Sequence, residues 1–249
     1  RKTSNKEWES SSDPDARVMK MKKGNTHLSY KQEHTVDLET EAILSAEIYY
    51  GNESDANTLL DSVGTAQGNL QQADSDAEIK EAVADKGYHK NETLAKCRAE
   101  ELRTYICEPD GPHRRWTDKP DEYESAYRAN RRRRKGDRNK RLQKLRCERV
   151  ERSFAHICET GGARHTWLRG LENNRKKVRL VVAAHNLSLI MRNLLGSGKP
   201  REFAGLRGLF TPLQTVLTRL QRLICCCAPF HSIQNQQKRQ PVLTLTCSL

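Results

Sequence analysis

Three observations predict an α/β domain. Strand-like stretches from Thr26 to Val36 and from Ala42 to Tyr50 flank a turn at Asp37 to Glu41, the pattern of a β-hairpin. Two short apolar stretches, Glu81 to Asp85 and Arg103 to Cys107, bracket a helical one that starts near Asn91. From Pro120 onward the apolar residues recur at helical spacings. Strands that alternate with helices in this way pack as a sheet with helices laid on it.

Taken in order, Arg1 to Lys23 is polar and reads as an exposed loop. In the second hairpin strand Leu44, Ala46, Ile48 and Tyr50 alternate onto one face. A helix is predicted over Asn52 to Gln67 from Leu59, Leu60 and Val63, with Asp55 at its start, and Gly68 to Ser75 reads as turn. Glu81 to Asp85 is a strand ending on a carboxylate, a place where a rigid element presents a polar group to a cleft. Glu108 to Lys119 holds Pro109, Gly111, Pro112 and Trp116 and reads as a loop. Trp116 suits either a docked anchor or a platform for a base. Pro120 opens the next helix at a position where proline is tolerated. Gly161 and Gly162 should break the chain before a packing helix that carries Leu180, Val181, Ala184, Leu187, Ile190, Met191 and Leu194. Leu206 to Leu223 forms a further amphipathic pattern, and Gln234 to Leu249 reads as a tail.

The formal net charge of +12 over 249 residues favours a polyanionic partner. Twelve basic residues fall between positions 131 and 152: Arg131, Arg132, Arg133, Arg134, Lys135, Arg138, Lys140, Arg141, Lys144, Arg146, Arg149 and Arg152. Only Asp137, Glu148 and Glu151 oppose them. A surplus of this size suits phosphate contacts, which give affinity without reading base sequence. No uninterrupted apolar run of about 18 residues exists, and the N-terminus has no apolar core of a signal peptide. The eight cysteines include no CxxC pair, and Cys225, Cys226 and Cys227 are adjacent, so reduced thiols in a cytoplasmic protein are expected rather than a disulfide or zinc framework. An opening on Arg1 suggests a piece of a longer protein.

Val150, Phe154 and Ile157 mark the apolar face of one helix, on which Glu148 and Glu151 lie three residues apart among Arg146, Arg149 and Arg152. Spacing leaves two readings open: simple neutralisation of the arginines, or a carboxylate with chemistry to do.

Val150-Glu-Arg-Ser-Phe-Ala-His156, Thr160-Gly-Gly162, Leu168-Arg-Gly170 and Asn186-Leu187, with Val83-Ala-Asp-Lys-Gly-Tyr-His89 upstream, resemble the motifs of insertion-sequence DDE transposases between about Asp13 and Arg201. The resemblance implies an RNase H-like mixed sheet flanked by helices, with a helical C-terminal extension. It divides the chain into a polar segment at 1–25, a catalytic domain lacking its first strand at 26–195, and an extension and tail at 196–249. It implies that Asp85 and Glu151 are the second and third metal-binding carboxylates, holding Mg²⁺ or Mn²⁺ in a two-metal site once a first aspartate is supplied. That aspartate belongs on a strand before the hairpin, and Asp13, Asp15 and Asp37 are the available stand-ins. Relatives place an arginine and a lysine where this chain has Cys147 and Cys158.

The expected function is phosphodiester hydrolysis and strand transfer at transposon ends, in a nucleoid-associated homo-oligomer bound to transposon and target DNA; lacking the first aspartate, this fragment has an incomplete DDE site, and an inactive remnant is the other form of the same expectation. A non-catalytic basic module that binds nucleic acid through positions 131–152 is the alternative, and an interaction protein using the Leu206 to Leu223 helix is the third reading.

Overall fold

The computed structural model describes residues 8–20, 24–111, 114–196 and 242–247. In chain order its elements are β1 (Arg17–Lys20), β2 (Thr26–Asp37), β3 (Ile43–Tyr50), α1 (Asp55–Gln72), β4 (Glu81–Ala84), a 3₁₀ turn (Lys86–Tyr88), α2 (Asn91–Ala99) and β5 (Arg103–Ile106). Then come α3 (Asp121–Arg134), α4 (Asp137–Leu145), a π turn (Arg146–Val150), α5 (Glu151–Glu159), α6 (Leu171–Leu195) and β6 (Val242–Cys247).

The hairpin forms as its alternation predicts, with Tyr30 opposite Tyr50 and Val36 opposite Ile43. Its turn is built by Asp37, whose carboxylate accepts the amides of Glu39 and Thr40 and the Thr40 hydroxyl. Glu41 occupies the left-handed region at φ 65°, where a side chain is disfavoured. Arg149 and Arg152 hold its carboxylate at 3.6 and 2.6 Å, contacts that a glycine would lack.

β2 pairs with β3 on one edge and, antiparallel, with β6 on the other, while β6 runs parallel to β4 and β4 parallel to β5. The central strand of the sheet is therefore Val242–Cys247, which the sequence pattern had assigned to a tail. β1 likewise forms within the segment read as polar loop.

Alternation along the short strands feeds two cores. Ala82, Ala84 and Ile106 pack with Leu59, Val63 and Leu94 of α1 and α2, whereas Val83 and Tyr105 pack with Leu142, Val150, Ile157 and Val178 of α4 to α6. Helix α1 extends through the glycine-bearing stretch read as turn and ends at Gln72. The start of α6 is fixed by Asp15, which accepts the Leu171 amide at 3.0 Å, and by Asp13, which accepts the Gly170 amide at 3.1 Å and the Tyr30 hydroxyl. Its inward face runs through Leu171, Asn174, Val178 and Val182, so Leu180 is 73% exposed, contrary to the predicted packing seam. Leu206 to Leu223 lies outside the described residues.

His34 is buried on the α5 side of β2, stacked on Phe154 at 5.1 Å with Nε2 3.3 Å from the Ser153 hydroxyl. Burial first, then the nearby His185, lowers its pKa to about 3. Folded and unfolded chains thus bind different numbers of protons below the ordinary histidine pKa of about 6.5. The unfolded state takes up the extra proton, so stability is full above pH 6.5 and falls toward pH 3, by at most about 1.4 kcal/mol per pH unit. Urea unfolding across that window should show this loss, and His34→Gln should flatten it.

Candidate active site

Asp85 follows the last residue of β4, and the alternation that turns Val83 toward α4 to α6 gives Asp85 the same side. It is exposed, and its Oδ1 accepts the Lys86 amide at 2.7 Å, which starts the 3₁₀ turn. Gly87 makes a close approach, since a Cβ there would lie 2.5 Å from Asp55 Oδ2 and would push that carboxylate aside. Asp55 is in turn 2.8 Å from Lys31 Nζ, itself 2.6 Å from Glu33. A buried ionic network thereby supports the turn that carries Asp85.

Glu151 opens α5 immediately after the π turn, a wide turn that often marks functional positions because it re-aims the side chains beyond it. Its carboxylate is 3.8 Å from Arg146, and its side chain is 59% exposed. Cys147, one turn before Glu151, is near enough to both candidate acids for their charges to act on its thiol. Its thiol pKa is raised by burial first and then by the negative charges of Glu151 and Asp85, against the pull of Arg146. Glu148 is exposed on the same stretch.

The three stand-ins for a further carboxylate are all engaged elsewhere: Asp13 and Asp15 at the start of α6, Asp37 in the hairpin turn. Asp37 also lies at the wrong end of the sheet, level with Leu243 and hence with Ala82. No group of three or more His, Cys, Asp or Glu side chains that could hold a metal occurs among the described residues. Two carboxylates are still a workable set for Mg²⁺, which takes one or two protein carboxylates and fills its octahedron with water and substrate phosphate.

The basic stretch runs through the end of α3, α4, the π turn and the start of α5, and several of its members have partners inside the protein. Arg133 donates to the Thr104 carbonyl and hydroxyl, Arg134 pairs with Glu108, and Arg138 donates to the two Glu81 oxygens through Nε and Nη2. Arg146 bonds Gln143, Arg149 bonds the Leu38 and Glu39 carbonyls, Arg152 pairs with Glu41, and Lys140 pairs with Asp137. Arg131 is 4.0 Å from Glu108. Arg132, Lys135, Arg141 and Lys144 have no acidic partner among the described residues. Sequence counting could not make most of this distinction, because Thr104, Glu81, Glu108 and the hairpin turn lie far along the chain from the arginines they hold.

A family model described as "Transposase DDE domain" matches residues 2–187. The chain belongs to that family, whose members are transposases and whose substrate is DNA. No curated protein and no solved structure gives a match. Among the described residues no helix is long and apolar enough to cross a membrane.

Proposed function

We propose that the domain is the catalytic part of an insertion-sequence transposase that hydrolyses a phosphodiester at the element's end and joins the freed 3′ hydroxyl to a target-strand phosphate, displacing that strand's own 3′ oxygen. What supports this is the family match together with the placement of Asp85 at the end of β4 and Glu151 at the start of α5, both on the side of the sheet that α4 to α6 cover. The order β3-β2-β6-β4-β5, antiparallel up to β6 and parallel beyond it, supports an RNase H-like arrangement with β6 as its central strand.

In this reading Asp85 and Glu151 hold Mg²⁺ or Mn²⁺, which when bound supplies an activated nucleophile and neutralises the leaving oxygen. Arg146 orients Glu151, and Arg132, Lys135, Arg141 and Lys144 give the DNA backbone its sequence-independent contacts. The buried network under Gly87 keeps Asp85 at the mouth of the sheet.

The test is Mn²⁺-dependent nicking of a duplex that carries the element's end. Asp85→Asn and Glu151→Gln are each expected to lower the rate by at least a hundredfold while leaving the folded circular-dichroism spectrum intact. Nicking that persists in both variants would reject the assignment. DNA binding with no metal-dependent cleavage under any condition would favour the basic-module reading.

A further inference from the structure

On the helical face opposite α5, Arg114 and Trp116 line, with helices α2 and α3, an open cavity of about 750 Å³. Its wall combines two kinds of chemistry. Arg98, Arg128, Arg131, Arg132 and Lys135 supply cations, and Trp116 supplies an aromatic face. Trp116 stands 5.1 Å from Tyr127, whose ring carries the Arg114 guanidinium at 4.7 Å. Arg114 also bonds Asn91 and His89, so the cavity is tied to the turn that begins at Asp85.

The acids nearby do not balance these cations. Glu124 pairs with Arg128, and Glu108 reaches Arg131 only at 4.0 Å, its closer partner being Arg134. Like charges gathered in a concave site repel one another until an anion enters, and guanidinium groups match phosphate geometry. A duplex offers rows of phosphate to such a surface but keeps its base faces stacked inside. A single strand offers phosphates and a free planar ring together, which is what paired cations and aromatic side chains bind. The volume falls within the range of about 300 to 1,000 Å³ that holds small organic ligands.

We propose that this cavity takes an unpaired nucleotide of the DNA substrate, its base against Trp116 and its flanking phosphates on Arg132 and Lys135. The site adds a single-strand subsite to a domain whose other DNA contacts follow a backbone. It is independent of the metal-binding role given to Asp85 and Glu151.

The test is fluorescence anisotropy with a labelled oligothymidylate of about ten nucleotides and a duplex of equal length, in EDTA so that no metal chemistry contributes. The parent protein is expected to bind the single strand more tightly than the duplex. Trp116→Ala should weaken single-strand binding about tenfold or more, with Trp116→Phe retaining most of it. Arg132→Ser with Lys135→Ser, both on the exposed helix surface, should weaken it and reduce the salt slope by about 1.4. Unchanged single-strand affinity in the serine pair and in Trp116→Phe and Trp116→Ala alike would overturn the proposal, as would a parent that prefers duplex. If Trp116→Ala fails to fold, the parent's preference for single strand over duplex decides the matter, since loss of backbone contacts alone would weaken both alike.

Discussion

Removing residues 239–249 is expected to abolish cooperative unfolding of the domain. The deletion takes out β6, which pairs with five residues of β2 and four of β4 and joins the hairpin to the parallel strands. Without it the facing edges of β2 and β4 lose their ladder partners, and an unpaired buried backbone group costs about as much as a lost hydrogen bond. Val36 and Val83, both fully buried, sit on the two strands that β6 joins. The combined loss exceeds the roughly 5 to 15 kcal/mol by which a domain is stable. Thermal unfolding followed by circular dichroism, with amide exchange at Ala82 to Ala84, measures this directly. A truncated chain with the parent's melting temperature and equally slow exchange would show that the strand does not belong to the sheet. Deleting only Ser248 and Leu249 is the control.

Lys31→Met is expected to destabilise the domain by about 3 to 5 kcal/mol at neutral pH, because it strands the buried Glu33 carboxylate without its counter-ion. Lys31 is 2% exposed and Glu33 fully buried, and the ammonium lies 2.6 Å from Glu33 and 2.8 Å from Asp55. Thr58 and Ser62 donate their hydroxyls to the same Glu33 carboxylate at 2.6 and 3.0 Å. Burial pushes the Glu33 carboxyl up, with Lys31, Thr58 and Ser62 pulling it back. A raised folded pKa means that the native state keeps its proton longer than the unfolded chain, so stability is lost as pH rises from the ordinary carboxylate range. Without Lys31 that loss grows. The difference between variant and parent should therefore be small near pH 4 and large at pH 7, and Lys31→Met with Glu33→Gln should recover much of it. A difference that stays constant with pH, measured by urea unfolding, would mean that Glu33 is not the charge Lys31 compensates.

The same network shows why its role could not be read from the chain. Lys31, Glu33, Asp55 and Thr58 lie on β2 and α1, and a lysine in a strand is by default an exposed residue. Glu81 is similar: it appears as the polar start of an apolar strand, yet Arg138 and Tyr105 close over it. By contrast, β2 and β3 were legible because period-two alternation and an Asp-containing turn are local signals. Helices α1, α3 and α5 were legible for the same reason at their own period.

The amino-acid order alone determined the hairpin, the strand that ends at Asp85, the helix that carries Glu151 and the excess of positive charge, since each depends on neighbours within a few positions. Tertiary structure alone decided that a C-terminal segment fills the middle of the sheet, that Asp13, Asp15 and Asp37 are engaged at a helix start and a turn, and which arginines brace strands and which face outward. Pairing between strands and neutralisation between charges depend on distance in space, and the separation of residues along the chain carries little information about it.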